Sequence, residues 1–361
     1  MMKMRGYRKF QRWGRIGLCM LFSALGSLAC ERQTPQEIAS TSQPALVSRA
    51  RSFEVMGTLA RLTAVAADEP TADAALQAGC QALEEVNRLM SDYIDDSEIG
   101  RLNRAAAGEA IPLSPPTMHC LRRALEISAQ SGGAFDVTCR PLIQLWRTAA
   151  REKHLPDEEK LRTVHSLIGA DKIMLDEMSR TAARRLDGVQ VDLGGIAKGY
   201  ALDLAAEAMK KAGSRGGLVD VGGDIVSFGL RENGQLWRIG VRDPFAVTSG
   251  EYRYALQFED AAVATSGVQE RFFEIDGKRY SHIIDPRDGR PAEQAPSVTV
   301  IGPDGLTADA WATAFSVLSV AEGKALLQEA GAPAVEVLWI SGTAENPQIE
   351  MTAGFKSYIC P

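Results

Sequence analysis

Short apolar segments follow one another through the second half of the chain, and few helical patterns separate them. Turn residues bound these segments, and the Asp-Gly pair at 276–277 is a strong signal for a hairpin. Strands that gather in runs, instead of alternating strictly with helices, favour an α+β fold over a doubly wound sheet. The segments lie at 189–193, 217–228, 236–242, 252–258, 261–265, 271–275, 297–301, 334–340 and 347–352.

Apolar residues recur at helical spacing in four other regions. The stretch 114–133 shows the full pattern, because Ser114 can cap its start, prolines follow the cap, and glycines end it. The other three regions are 71–93, a helix beginning near Gly199 and ending at Gly213, and 306–331, which holds one or two helices.

Three further segments complete the predicted domain. Residues 53–66 alternate around a glycine and predict a strand pair, whereas 90–105 and 133–146 predict a helix end with a loop. No linker separates the predicted elements. The chain is therefore expected to fold as one domain over residues 51–361.

The N-terminal residues differ from the rest in charge. The 361-residue chain has a net charge of −6, but residues 1–30 hold six cations and no acid, so the remainder carries −12. Such an acidic body argues against sequence-independent binding of nucleic acid, which needs basic patches. Cations followed by an apolar run from Ile16 to Ala29 predict a signal peptide over residues 1–29.

The predicted signal peptide ends in GSLAC at Cys30, which resembles a bacterial lipobox, a motif whose cysteine is lipidated after cleavage. Ser27 stands where that motif usually has leucine, so a lipoprotein, a cleaved soluble form and an uncleaved anchor all remain open. The polar stretch that follows lacks periodicity and predicts a flexible tether over residues 30–50.

Four cysteines lie beyond Cys30 in spacings that match no zinc or CxxC pattern, namely Cys80, Cys120, Cys139 and Cys360. Scattered, buried small residues are the simplest interpretation. An oxidising compartment would permit a disulfide, but the spacing does not identify a pair.

The stretch VDLGGIAKGYALD, residues 191–203, leads from an apolar strand through two glycines into a helix. It is neither a Walker A loop nor a dinucleotide GxGxxG motif. Its glycines permit close backbone approach, the helix start directs free N–H groups outward, and Lys198 adds a positive charge beside any anion. Taken alone, the stretch is better explained as a tight turn with a surface lysine.

Two other segments carry residues suited to chemistry. Asp309 and Thr313 are four apart on one helical face, and both offer the oxygen ligands that Mg²⁺ prefers. His282 lies close to Asp285 and Arg287 in a turn-rich segment, and histidine readily transfers protons near neutral pH. Each pattern also occurs for structural reasons alone.

The order of the motifs is more informative than any one of them. The series strongly resembles the ApbE family, the FAD:protein FMN transferases, over roughly residues 51–355. Its blocks are MGT (56–58), MSDY to SEIGRLN (90–103), GAFDVTCRPLIQLW (133–146), VDLGGIAKGYALD, DVGGDI (220–225), VATSG (263–267), RYSHIIDPRDGRP (279–291) and ADAWAT (308–313).

The resemblance implies a T-fold-like α+β domain with mostly antiparallel sheets and packed helices. It also implies a Mg²⁺-dependent enzyme that splits FAD, attaches FMN to a Thr or Ser hydroxyl of an acceptor protein, and releases AMP. Family acceptors are flavinylated subunits of extracytoplasmic redox proteins, and members are secreted or lipid-anchored at the periplasmic side of the bacterial envelope. An FAD pyrophosphatase and a non-catalytic flavin-binding lipoprotein are the alternatives.

The resemblance also assigns roles to individual residues. The metal ligands would be the backbone carbonyl of Ala197 and the side chains of Asp309 and Thr313, and His282 would deprotonate the acceptor hydroxyl. Lys198 would both contact the flavin nucleotide and offset charge in the reaction. The remaining flavin contacts would be Met56, Tyr93, Ala134, Phe135, Asp136, Gly194, Tyr200 and Ile284.

Overall fold

The computed structural model describes residues 45–246, 250–267, 272–292 and 297–361. The predicted signal peptide, Cys30 and the tether up to residue 44 lie outside the described residues. The first strand begins at Val47, which pairs with Ala66, so the predicted tether boundary at residue 50 is wrong. Residues 47–50 pair with residues 63–66 of the neighbouring strand, and that pairing extends the domain toward the N-terminus.

The strands of the described chain are numbered here in sequence order. They are β1 (Val47–Val55), β2 (Thr58–Ala66), β3 (Ile111–Pro112), β4 (Ile173–Asp176), β5 (Thr181–Arg184), β6 (Gly216–Val221), β7 (Asp224–Phe228), β8 (Trp237–Arg242), β9 (Tyr252–Phe258), β10 (Ala261–Gly267), β11 (Phe272–Ile275), β12 (Lys278–Ser281), β13 (Ser297–Gly302), β14 (Glu336–Gly342) and β15 (Pro347–Met351).

The helices are numbered in the same way. They are α1 (Glu69–Met90), α2 (Glu98–Arg104), α3 (Pro115–Gln130), α4 (Arg140–Glu152), α5 (Glu158–His165), α6 (Ala197–Lys211), α7 (Gly305–Val317) and α8 (Val320–Leu326), with short 3₁₀ turns at Ala170–Lys172 and Gly354–Tyr358.

An eight-stranded sheet forms the centre of the domain, in the order β1-β2-β6-β7-β10-β13-β14-β15. Every pairing in this sheet is antiparallel. Three smaller antiparallel sheets, β3-β5-β4, β8-β9 and β11-β12, surround it. The predicted hairpin at 276–277 is the turn between β11 and β12, and the residue pair Ile275 and Lys278 closes it.

Helix α7 lies at the heart of the core. All of its residues except Thr313 are buried, and Trp311, Phe315 and Trp339 of β14 form an aromatic cluster beside it. Asp304 caps its start by accepting a hydrogen bond from the Thr307 amide. A helix buried on all sides has no use for a carboxylate in packing, so a buried Asp309 needs another explanation.

Helix α6 crosses α7 at a pair of glycines, Gly199 and Gly305. A Cβ atom at Gly199 would lie 2.0 Å from the Gly305 carbonyl oxygen, and one at Gly305 would lie 2.3 Å from the Gly199 carbonyl oxygen. The two backbones are therefore in direct contact, which only glycine at both positions allows. This crossing brings the first turn of α6 beside the middle of α7.

The four helical regions expected from periodicity are confirmed as α1, α3, α6, and α7 with α8. Helices α2, α4 and α5 were missed. In α4 the apolar residues Leu142, Leu145, Trp146 and Ala149 are buried on one face, but Pro141 in the first turn resembles a loop signal. The four described cysteines are free thiols, three of them buried. No helix in residues 45–361 that the structure describes is long and apolar enough to cross a bilayer.

Candidate active site

A cavity of about 1010 Å³ opens beside the start of α6. Loops and strand ends from across the sequence line it, including the β1–β2 turn, the segment after α1, the β6–β7 turn, the end of β10, β11 and the middle of α7. Its volume is at the upper end of the range for small-molecule sites and suits a large nucleotide.

Most of the residues assigned by the resemblance line this cavity, although they are scattered over more than 250 positions of sequence. They are Met56, Tyr93, Ala134, Phe135, Asp136, Gly194, Ala197, Lys198, His282, Ile284, Asp309 and Thr313. These residues come from six of the eight sequence motifs, and Asp224 and Thr265 of the other two motifs line the cavity as well. All eight motifs therefore meet at one place in the fold.

Tyr200 is the exception, because it does not line this cavity, and its contact with the flavin stays a prediction. It follows Lys198 by two residues, which is about 200° around a helix, so the two side chains point to opposite faces of α6. Tyr200 lines a second cavity of about 680 Å³ and stacks against His119, with 5.4 Å between ring centroids.

The floor of the main cavity holds three charged groups. The Lys198 ammonium donates a hydrogen bond to Asp224 Oδ2 and lies 3.8 Å from Asp309 Oδ1. Asp224 and Asp309 are each only 3% exposed. Burial raises the pKa of Asp309 to about 6, and the Lys198 charge opposes that rise.

The crossing of α6 and α7 sets the position of Asp309. The backbone N–H of Gly199 donates to Asp309 Oδ2 at 2.9 Å, so the carboxylate is tied to the first turn of α6. On the same side, the Asp203 carboxylate accepts from the Gly305 and Leu306 amides at the start of α7. Burial raises the pKa of Asp203 to about 7, against the effect of those two hydrogen bonds.

The predicted metal ligands fit a hard cation. The Asp309 carboxylate and the Thr313 hydroxyl lie one turn apart on α7, and Ala197, the first residue of α6, lines the same cavity. Gly195 packs against Thr313, because a Cβ there would lie 3.2 Å from Thr313 Oγ1. An all-oxygen set with one carboxylate suits Mg²⁺, which takes few protein ligands and keeps water or phosphate oxygens.

A site of this kind is not a multidentate cage. Among the described residues, no group of three or more His, Cys, Asp or Glu side chains is placed to hold a metal. The donor set at the cavity floor has one such side chain and therefore leaves room for the oxygens of a bound ligand.

The upper wall of the cavity is mostly apolar. Phe135 is buried in the turn before α4, and the neighbouring Asp136 carboxylate accepts from the Thr138 amide and hydroxyl at 2.8 and 2.6 Å. Burial raises the pKa of Asp136, although the hydrogen bonds from Thr138 oppose this. Asp136 thus shapes the turn that presents Phe135.

Two residues at the rim are placed unusually. Met56 has a φ of +53°, a value that costs energy for a residue with a side chain, and it occupies the tight turn between β1 and β2. Tyr93 is 72% exposed at the cavity mouth, where its hydroxyl accepts a hydrogen bond from Arg147 at 3.0 Å. An exposed aromatic ring held by a cation gives the mouth a flat apolar surface.

His282 lies directly after β12 and lines the cavity wall. Its neighbour Asp285 in the sequence pairs with Arg287 at 2.8 Å, and Arg287 also contacts Glu322 at 3.0 Å. The polar cluster recognised in the sequence therefore divides, with His282 on the cavity and Arg287 anchoring the segment to α8.

Three acidic residues of the cavity were missed as site residues, Asp92, Asp192 and Asp224, and the last two lie beside glycine turns. Asp224 follows the Gly-Gly turn in DVGGDI, which joins β6 and β7. Asp192 precedes Gly194 and accepts its amide hydrogen at 2.7 Å, and burial raises the pKa of its carboxyl group. An acidic residue next to a glycine turn is common on protein surfaces. Only burial, which the sequence does not show, distinguishes Asp192 and Asp224 from such surface residues.

The chain was compared with known proteins. A model of the ApbE family matches residues 56–339. The FAD:protein FMN transferase of Vibrio cholerae is 34% identical over 280 residues, which cover 77% of this chain and 82% of that protein. The FAD:protein FMN transferase of Escherichia coli K12 is 28% identical over 347 residues, which cover 95% of this chain and 97% of that protein.

Solved structures agree with these sequence matches. The ApbE protein of Thermotoga maritima has a TM-score of 0.78 at 28% identity, covering 87% of this chain and all of that one. The flavin transferase ApbE from Vibrio cholerae has a TM-score of 0.76 at 31% identity, covering 87% of this chain and 99% of that one. The predicted α+β fold and the resemblance drawn from the ordered motifs are confirmed.

Proposed function

This chain belongs to the ApbE family, and we therefore propose that it is an FAD:protein FMN transferase. In the proposed reaction, FMN passes from FAD to a Thr or Ser hydroxyl of an acceptor protein, and AMP is released. The observation that carries the proposal is the convergence of Lys198, Asp309, Thr313 and His282 on one cavity large enough for FAD.

The bond changes follow from the chemistry of a diphosphate. The acceptor hydroxyl oxygen attacks the phosphorus on the FMN side, the bond from that phosphorus to the bridging oxygen breaks, and AMP leaves. A threonine hydroxyl is a weak nucleophile, so His282 accepts its proton. Lys198 on the cavity floor offsets the negative charge that develops on the phosphate oxygens.

A magnesium ion is proposed at the floor, held by the Ala197 carbonyl, the Asp309 carboxylate and the Thr313 hydroxyl. When bound, it would supply Lewis-acid stabilisation of the diphosphate oxygens. Asp309 suits this role because its buried carboxylate is the one ionisable side chain of α7 and accepts a hydrogen bond from the Gly199 amide.

One assay tests the proposal directly. The chain is incubated with FAD, Mg²⁺ and a Thr-containing acceptor protein, and the products are followed by mass spectrometry. A mass gain of one FMN on the acceptor, together with AMP, is the expected result. Free FMN with AMP and an unmodified acceptor would instead identify a pyrophosphatase, and unchanged FAD would identify a carrier.

The cellular setting is part of the same proposal. We propose lipidation at Cys30, a position on the periplasmic side of the bacterial envelope, and an acceptor that is a redox subunit in the same compartment. The basic and apolar residues up to Ala29 and the GSLAC ending support this. Cys30→Ser should shift the protein from the membrane fraction to the soluble fraction; an unchanged distribution would contradict the anchor.

A further inference from the structure

Lys198 lies between two buried carboxylates that have different surroundings. Its ammonium donates a hydrogen bond to Asp224 and is 3.8 Å from Asp309 Oδ1. Asp309 is also the proposed metal ligand, so the ammonium and a divalent cation would approach the same carboxylate. Two cations at one carboxylate repel each other strongly in a buried site.

Asp224 is placed to bind the Lys198 ammonium away from Asp309. Its Oδ1 accepts the Thr265 amide hydrogen at 3.1 Å, and its Oδ2 accepts from Lys198. The residue begins β7 directly after the Gly222–Gly223 turn, so the backbone fixes it between β6 and β10. One oxygen therefore anchors the side chain to the sheet, and the other is available to Lys198.

We propose that Asp224 is a positioning residue that keeps the Lys198 ammonium off Asp309, so that the lysine and the metal ion can occupy the floor together. The inference rests on the metal site in the proposed function. Asp224 does not ligate the metal in this scheme. It provides the counter-ion that a partly buried ammonium needs when a divalent cation occupies Asp309.

Removal of the Asp224 charge should let the ammonium move to Asp309, a carboxylate whose Oδ1 is 3.8 Å away. Asp224→Asn preserves the side-chain shape and an oxygen that can accept from Thr265. It should weaken binding of Mn²⁺, a spectroscopic substitute for Mg²⁺, by about tenfold, a size typical of coupled neighbouring charges. Electron paramagnetic resonance of free Mn²⁺ measures this affinity without turnover.

A double-mutant cycle separates this route from a direct effect of Asp224 on the metal. In a Lys198→Met background there is no ammonium to displace the metal, so adding Asp224→Asn should change Mn²⁺ affinity less than twofold. An equal tenfold loss with and without Lys198 would overturn the proposal, because Asp224 would then act on the cation by its own charge. Unchanged affinity in the Asp224→Asn single variant would overturn it as well.

Three controls make the outcome decisive. Metal-free thermal unfolding establishes that each variant is folded. Asp224→Glu retains the negative charge, so it should bind Mn²⁺ with the affinity of the parent protein. Asp309→Ala should abolish binding. If Asp309→Ala binds Mn²⁺ normally, the proposed metal site fails and the positioning role falls with it; if it loses binding but the cycle shows no coupling, only the positioning role is overturned.

Discussion

Replacing Gly199 with alanine tests whether the crossing of α6 and α7 builds the cavity floor. Gly199 lies inside α6, where alanine is intrinsically better than glycine by about 1 kcal/mol. Helix propensity alone therefore predicts that Gly199→Ala stabilises the protein. The structure predicts the reverse, because the added methyl group has no space.

The size of the effect follows from the distances. The new Cβ would lie 2.0 Å from the Gly305 carbonyl oxygen and 2.7 Å from Asp309 Cβ, whereas ordinary contacts begin near 3.4 Å. The helices would have to separate by more than an ångström, and overpacking of this kind costs about 1–3 kcal/mol. The hydrogen bond from the Gly199 amide to Asp309 would lengthen at the same time.

Urea unfolding in metal-free buffer measures the stability change, and Mn²⁺ binding measures the damage to the floor. We expect Gly199→Ala to lower the free energy of unfolding by about 1–3 kcal/mol and to weaken Mn²⁺ binding. Gly302→Ala is the matched control, because its Cβ would be 3.4 Å from the nearest atoms of Ala308, an ordinary contact. That variant should retain both properties.

The reasoning would be refuted by a Gly199→Ala protein that is more stable than the parent and binds Mn²⁺ as tightly. Such a result would mean that helix propensity governs this position and that the close approach at Gly305 is easily relieved. A loss of equal size in Gly302→Ala would also contradict it, since the effect would then be general to this part of the core.

Three other changes probe separate parts of the site. His282→Ala should bind FAD with unchanged affinity in equilibrium titration but transfer FMN about 10²–10⁴ times more slowly, as expected for loss of a general base; full transfer would remove His282 from the mechanism. Burial raises the pKa of Asp309 to about 6, and a metal ion binds the ionised carboxylate. Mn²⁺ affinity should therefore be constant above that pH and fall about tenfold per pH unit below it. A constant Mn²⁺ affinity down to pH 5 would contradict this. Tyr200→Phe should leave FAD affinity and transfer unchanged, because Tyr200 lies on the face of α6 away from the main cavity, whereas a tenfold loss of FAD affinity would return it to the flavin site.

Local signals were sufficient for much of the fold. The Asp-Gly pair at 276–277 specifies a two-residue turn, and that hairpin occurs as expected. The Gly-Gly pair at 222–223 forms the turn of a second hairpin, between β6 and β7. The order of the central sheet could not be predicted, because β2 pairs with β6 across about 150 residues and β10 lies between β7 and β13. Such pairings depend on long-range packing that periodicity does not encode.

The site shows the same division between local and long-range information. Asp309 and Thr313 could be assigned to one helical face from their spacing, and Lys198 to the start of a helix from the glycines before it. The two-residue spacing of Lys198 and Tyr200 also indicates that their side chains point to opposite faces of α6. The assignment by resemblance nevertheless placed both residues on the flavin. Asp224 could not be recognised, because only the packing of α6 against β7 brings it to Lys198.

The charges at the cavity floor explain why α6, α7 and β7 contribute charged residues to one place. Asp224 and Asp309 face a single ammonium, so the three charged groups of the described floor sum to one negative charge when all are ionised. Unbalanced buried charge is costly, and burial accordingly raises the pKa of Asp309. A divalent cation would leave the floor with one positive charge, which is the charge needed to receive a diphosphate. The two carboxylates thus destabilise the protein without ligands, and they contribute to binding of the cation and the nucleotide. The unbalanced charge would be neutralised only when cation and nucleotide bind together.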